Sequence, residues 1–355
     1  MRARRRDRAE GRVVNGQPLL EIADLRVTYW GRSLLGFKGR PFHAVNGANL
    51  TIRAGETLGL VGESGSGKSS IANTVLGLVP ASAGSIRFGD VDLAAMNTRY
   101  PPAVRNQIQA VFQDPYSSLN PSMTVEDIVT EPLRVHTGMS RAERRARAVE
   151  LLKLVSLSEE HLGRHPHQFS GGQRQRIAIA SALALQPKLI VLDEPVSALD
   201  VSTQNQIINL LYERRDALGI AYLLIAHDLA LVHHISDRIA VMYLGHIVEE
   251  GPSDRVYHAP AHPYTKALLD AVPLLDPEAQ RRRRAARKAA PALDAQRVAA
   301  EGCPYRNRCP YVMPRCATEM PPAYPIAGGG TANCFLYAEG DARAESAATV
   351  AGAAP

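Results

Sequence analysis

Nine consecutive residues, Gly62 to Ser70 (GESGSGKSS), have the types and spacing to wrap a chain of phosphates. Gly62 and Gly67 followed by Lys68 and Ser69 fit the phosphate-loop pattern. Glycine lets backbone N–H groups turn inward around phosphate oxygens without a Cβ clash, and Glu63, Ser64, Gly65, Ser66 and Ser70 fill out the loop. Lys68 would set its ammonium against the β- and γ-phosphates, and the Ser69 hydroxyl would ligate Mg²⁺. A second constellation is LIVLDEP, Leu189 to Pro195. An apolar strand ending in two carboxylates is costly unless the charges meet a cation. Asp193 is placed to hold Mg²⁺ and Glu194 to polarise an attacking water. Together the two segments specify nucleotide hydrolysis.

The elements that must position these residues can be read around them. TLGLVG forms a short buried strand running into the glycine turn, and SSIANTVLGLV forms a helix after it, adding its N-terminal dipole to the phosphate site. LEIADLRVTYW and ANLTI read as strands, with WGRSLLGFKGRPF an irregular loop between them. From about 115 to 167 the pattern becomes helical. Ser140 and Glu143 make a capping box for RAERRARAVELLKLV, in which Ala142, Ala146, Val149 and Val155 recur at helical spacing and predict the buried face. KLIVLD, AYLLIAH and RIAVMYLG are apolar strands alternating with helices, which indicates an α/β parallel sheet.

The organisation expected is a basic arm over 1–16, a nucleotide-binding domain over 17–251 with its helical subdomain at about 115–167, a C-terminal extension over 252–340, and a disordered tail over 341–355. The chain has 355 residues, 45% of them hydrophobic, enough for a substantial core. No run approaches the roughly 20 apolar residues that span a bilayer, and the basic N-terminus leads into no apolar segment. These features predict a soluble protein of the cytosol. The net charge of +6 gathers partly in two runs, Arg2 to Arg8 and Arg281 to Lys288, which are solvated segments or sites for anionic partners. All four cysteines lie between 303 and 334, a clustering that favours a metal site over disulfides in such a compartment.

Further along the chain, FSGGQRQR, Phe169 to Arg176, resembles the signature sequence of ABC ATPases. Gln113 in VFQDP resembles that family's Q-loop, Ser197-Ala198-Leu199-Asp200 its D-loop, and His227 in LLIAHD its switch histidine. Tyr29 sits where the family keeps an aromatic ring for adenine, although a packed strand residue would read the same. The resemblance covers about residues 19–250 in family order. It implies a P-loop NTPase cassette with a RecA-like core sheet, an antiparallel β subdomain and a helical subdomain. It also implies Mg²⁺ ligation by Ser69, Gln113 and Asp193, with Glu194 and His227 serving hydrolysis. Two cassettes would close head to tail, so that Ser170, Gly171, Gly172 and Gln173, together with Asp200, would serve the ATP held by a partner.

PAHPYTKALLDAVP, VFQDPYSSLNPSMTV and DEPVSALDVSTQ resemble the oligopeptide and dipeptide import ATPases, and within them the F-type subunit. That resemblance implies a sister (D-type) ATPase, two permease subunits and an extracytoplasmic binding protein as partners, at the cytoplasmic face of the plasma (inner) membrane. Nickel and glycoside importers share the architecture. A soluble ABC ATPase acting on nucleic acid is the rival reading, disfavoured by one cassette per chain and by the compact segment between Lys68 and Ser170. Cys303, Cys309, Cys316 and Cys334 could hold an iron–sulfur cluster or zinc, or stay unligated. Their gaps of five, six and seventeen residues are wider than the close pairs usual for zinc. Similar cysteines in the peptide importers are associated with a [4Fe–4S] centre.

Overall fold

The computed structural model describes residues 17–32, 38–271 and 301–338. The basic arm, the Arg281–Lys288 run and the tail expected at 341–355 lie outside the described residues.

Two sheets organise the chain. The larger has the order β11-β12-β10-β9-β3-β8-β7-β6. Its centre is parallel and consists of β3 (Thr57–Val61), β6 (Ile108–Val111), β7 (Leu189–Asp193), β8 (Ala221–Ala226) and β9 (Arg238–Tyr243). Strands β3 and β8 are buried at every position, as expected where both faces of a parallel sheet are covered. The period of two divides each strand between two cores. Tyr222 and Leu224 of β8 join Ile190 and Leu192 of β7 in one core. Leu223 and Ile225 join Leu189 and Val191 in the other.

The first core takes the helices α2 (Val125–His136), α3 (Arg141–Leu154), α4 (Gly171–Leu183) and α5 (Val201–Leu218). The Ser140–Glu143 capping box opens α3 as expected. Its buried face differs from the sequence pattern, because Ala142 and Ala146 are exposed. Val155 is buried and Val149 packs partly against the core as expected, while Ala148, Leu151 and Leu152 complete the inward face. Bulkier apolar side chains set the rotation of the helix, and its first turns project into solvent.

The second core lies between the main sheet, α1 (Lys68–Val75) and a four-stranded antiparallel sheet. That sheet orders β2 (Lys38–Ile52), β1 (Leu20–Arg32), β4 (Ala83–Phe88) and β5 (Val91–Asp92). Of the loop expected over WGRSLLGFKGRPF, residues 30–32 and 38–42 are strand, and 33–37 lie outside the described residues. Tyr29 pairs with Phe42, Trp30 with Pro41 and Arg32 with Lys38. The glycines permit this extension, since a Cβ on Gly39 would stand 2.7 Å from the Gly31 carbonyl oxygen.

The segment after residue 251 is not set apart from the sheet. Strand β10 (His246–Pro252) runs antiparallel to β9, and β12 (Thr331–Ala332) pairs with β10, followed by β11 (Tyr324–Pro325). Glu249 of β10 is fully buried, and its carboxylate gathers this region. It accepts from the Ala261 and His262 amides at 2.9 and 2.8 Å and pairs with Arg255. Helices α7 (Ser253–His258) and α8 (Pro263–Ala271) follow.

His262 is buried, and its Nδ1 accepts the Tyr264 amide at 3.1 Å. Burial holds its imidazole down at about 3, from an ordinary 6.5. Between those values the unfolded chain takes up a proton that the folded chain refuses, so this contribution is complete above pH 6.5 and is lost as pH falls. From pH 7 to pH 5 the loss should be about 2 kcal/mol. His262→Asn keeps an acceptor for the Tyr264 amide but does not titrate here. Denaturant unfolding at the two pH values should therefore show a smaller acid loss in the variant. Equal losses would contradict the assignment.

Candidate functional site

Strand β3 ends at Val61, and residues 62–67 turn the chain back into α1, which begins at Lys68. Two glycines make the turn possible. A Cβ on Gly62 would stand 2.1 Å from the Met242 carbonyl oxygen, and Gly67, at φ 107°, would drive one into Ala44. The Lys68 ammonium curls into the loop, donating to the carbonyls of Gly62 and Glu63 at 2.8 Å each and to Ser66 Oγ at 3.3 Å. Burial lowers its pKa, against the opposing pull of Glu194, Asp193 and Glu63. Tyr29 of β1 comes beside the same helix, its hydroxyl donating to Ser70 Oγ at 3.3 Å, with its ring partly exposed.

Strand β7 delivers the two acids. Asp193 Oδ1 accepts from Ser69 Oγ at 3.4 Å, which joins two of the three residues expected to hold Mg²⁺, while Gln113 turns to Glu194. Its carboxyl is raised by burial and further by Glu194, against the opposing effects of Ser69 and Lys68. A half-buried acid pair with a neighbouring hydroxyl is a donor set that suits a hard, oxygen-seeking cation. Glu194 has a left-handed backbone, φ 47°, uncommon for a residue with a side chain. Its amide donates to the Ile225 carbonyl at 2.9 Å, holding the sharp turn against β8. The Glu194 carboxylate lies between Gln113 Nε2 at 3.1 Å and His227 Nδ1 at 3.4 Å. Two partners from different strand ends thus fix one carboxylate, as a group that orients water or accepts its proton requires.

The signature segment opens α4. Ser170 Oγ accepts from the Gln173 amide at 3.3 Å, and Gln173 Oε1 accepts from the Ser170 amide at 3.0 Å. Ser170 is exposed. Gly172 packs so closely on α5 that a Cβ would stand 2.3 Å from Thr203 Cγ2, while Gly171 faces Leu199. Asp200, expected near nucleotide, caps α5 by accepting from the Thr203 amide at 3.0 Å and hydroxyl at 2.7 Å. That cap would hold the Leu199 turn against the signature glycines.

The four cysteines are all buried and unpaired, and Cys303, Cys309 and Cys316 share one core with Tyr305 and Phe335. The Cys303 amide donates to the Cys316 carbonyl at 2.9 Å. Burial raises the Cys303 thiol, takes Cys309 to about 11 and Cys334 to about 12, and the four thiols act on one another electrostatically. No three sulfurs lie within 4.8 Å of one another. A tetrahedral zinc at about 2.3 Å per sulfur would need them about 3.8 Å apart.

Two further residues reach the phosphate loop that the sequence patterns did not point to. Arg308, beside Cys309, forks both Glu63 carboxylate oxygens at 3.1 Å. Tyr264 accepts the Glu63 amide at 2.9 Å. Arg308 also lies over the Tyr243 and Tyr305 rings, and its positive charge is reinforced by Glu63. A separation of 245 residues between Arg308 and Glu63 leaves no local signal of this contact.

Residues 45–197 match the ABC transporter family, and residues 248–316 match the oligopeptide/dipeptide transporter C-terminal region. The chain is 48% identical over 320 residues to the oligopeptide transport ATP-binding protein OppF of Escherichia coli (strain K12), covering 88% of this chain and 93% of that one. It is 45% identical over 322 residues to the putative oligopeptide transport ATP-binding protein YkfD of Bacillus subtilis (strain 168), covering 90% and 96%. Among solved structures it resembles a dimeric bacterial ABC transporter cassette at 31% identity and TM-score 0.59, over 66% of this chain and 98% of that one.

The Arg308–Glu63 fork generates a prediction. Arg308→Ala should weaken nucleotide binding by about fivefold, the effect of about 1 kcal/mol lost from a partly exposed pair. Glu63→Gln in the Arg308→Ala background should add little, since the pair acts as a unit. Titration with a fluorescent ATP analogue would test this, and fully additive losses would contradict it.

Proposed function

Because the chain belongs to the ABC transporter ATPases and carries the oligopeptide/dipeptide transporter C-terminal region, we propose that its ATP hydrolysis drives import of peptides through a membrane permease. The observation that carries the reading is the convergence of Lys68, Ser69, Gln113, Asp193, Glu194 and His227 beneath one loop. Among the described residues no helix is long and apolar enough to cross a membrane. Its similarity to oligopeptide transport ATP-binding proteins supports a peripheral subunit that acts on membrane partners at the cytoplasmic face.

The work of each residue follows from its position. Loop N–H groups and Lys68 receive the β- and γ-phosphates, with Lys68 exchanging its carbonyl partners for phosphate oxygens. Ser69 and Asp193, with Gln113 close by, would hold Mg²⁺, which supplies neutralisation of charge on the phosphate oxygens. Glu194 orients the attacking water and draws its proton, while Gln113 and His227 keep the carboxylate aimed. Tyr29 stacks on adenine. The signature from Ser170 to Gln173 presents a helix N-terminus to the γ-phosphate of a partner cassette. The dimeric assembly described for the solved bacterial cassette supports that arrangement. The partner is a sister ATPase, so the working unit is a heterodimer on two permease subunits, with an extracytoplasmic binding protein supplying peptide.

The cysteine cluster holds a [4Fe–4S] centre. The support is that all four thiols are buried and unpaired, act on one another electrostatically, and stand at wider sequence gaps than the close pairs usual for zinc. When bound, the centre supplies cross-links that the chain's own packing would otherwise have to provide. Anaerobic purification should give brown protein with iron and acid-labile sulfide in equal amounts. One zinc per chain without sulfide would overturn this assignment.

Glu194→Gln tests the hydrolytic reading. The amide keeps the shape of the side chain but cannot take a proton, so the reconstituted complex should bind ATP normally. Turnover should fall at least about a hundredfold. Near-normal phosphate release by the variant would remove Glu194 from its role.

A further inference from the structure

Helix α6 (Leu229–Ile235) leaves β8 directly after His227 and Asp228, and α7 opens the segment beyond β10. Between these two helices, and separate from the nucleotide loop and the cysteines, three side chains of metal-binding type converge. One ligand atom from each of His233, Asp254 and His258 lies within 4.8 Å of the other two. Asp254 and His258 are four residues apart on α7, so both project from one face, the spacing with which a helix offers two ligands to one ion. His233 reaches across from α6, its Nε2 standing 2.7 Å from Asp254 Oδ1.

The His233 ring is held in place. It stacks on Tyr257 at 4.2 Å between centroids with planes 10° apart, and it meets the His258 ring edge-on at 5.3 Å. The backbone below is tied as well, because Ser253 Oγ donates to the His233 carbonyl at 3.3 Å. Only 13% of the His233 side chain is exposed, against 74% for Asp254. One ligand is therefore fixed by packing, while Asp254 and the exposed His258 have room to close around an ion.

We propose that His233, Asp254 and His258 form a binding site for one divalent transition-metal ion of the Zn²⁺ class, clamping α6 to α7. Two imidazole nitrogens and one carboxylate oxygen suit Zn²⁺, Co²⁺ or Ni²⁺, whereas Mg²⁺ and Ca²⁺ prefer all-oxygen shells. At bond lengths of about 2.1 Å, tetrahedral ligands stand about 3.4 Å apart. Small side-chain movements from the present spacing reach that distance. A simple His233–Asp254 hydrogen bond would have no use for His258, so the third residue distinguishes a chelate from a pair. The ion ties the helix that follows the switch histidine to the start of the C-terminal segment, so occupancy stiffens that junction.

The test uses the full chain in excess Mg²⁺ with Co²⁺ as the probe, followed by visible absorption and calorimetry. One Co²⁺ should bind with d–d bands and without thiolate charge transfer, and Zn²⁺ should displace it. Cobalt on the cysteines is recognised separately by its strong charge-transfer absorption. His258→Ala, at an exposed position, should weaken this binding at least tenfold and abolish the Zn²⁺-induced rise in melting temperature. His233→Phe, which keeps a ring to stack on Tyr257, should do the same. Unchanged affinity and spectrum in either variant would overturn the proposal, as would the absence of cobalt binding outside the thiols at micromolar metal.

Discussion

The structure depends first on a pair of like charges at the end of an apolar strand. Asp193 and Glu194 emerge from β7, whose four preceding residues are buried, and burial raises the Asp193 carboxyl. Two carboxylates so placed repel each other and are poorly solvated. Their neighbours relieve this cost, with Lys68 and Ser69 on one side and Gln113 and His227 on the other. The neighbours come from the ends of three other strands, Lys68 and Ser69 after β3, Gln113 after β6 and His227 after β8. The parallel order of β3, β8, β7 and β6 brings those ends to one edge, and the site follows from that topology.

The second dependency runs through the C-terminal segment. Buried Glu249 collects the amides of Ala261 and His262, and Tyr264 then reaches the Glu63 amide in the phosphate loop. Arg308 reaches the Glu63 side chain from among the cysteines. The phosphate loop is thus held by its own strand and helix and also by a region that begins almost 200 residues later. A region poor in regular secondary structure gains rigidity from these anchors and from whatever the four thiols hold. The His233–Asp254–His258 group lies at the same junction.

Much of this was legible in the sequence because the relevant signals are local. The glycine spacing of the phosphate loop, the apolar run before Asp193 and the Ser140–Glu143 box each declare themselves within a few residues. The face of α3 was less legible, since periodicity marks a stripe without its rotation, and Leu151 and Leu152 outweighed Ala142 and Ala146. The strand through Gly31 and Gly39 was hidden because glycines usually signal breaks, yet here they let two backbones approach. Contacts such as Arg308 with Glu63 and the trio around His233 were not legible at all. Arg308 and Glu63 are 245 residues apart, and His233 meets Asp254 and His258 only because two different helices are packed side by side.

In the function proposed for it, this chain carries one half of a nucleotide site in its loop and offers its signature to another cassette. Gly171→Asp tests it most directly. An aspartate in the first turn suits a helix N-terminus, and its Cβ meets only the flexible end of Leu199 at 3.2 Å, so α4 should persist. The new charge would, however, face the γ-phosphate of a partner's nucleotide. Measured by equilibrium titration and by ATPase assay, the isolated variant should bind ATP with unchanged affinity, while the reconstituted complex should lose turnover. Loss of ATP binding by the isolated chain would place the signature in this chain's own nucleotide site and contradict the account.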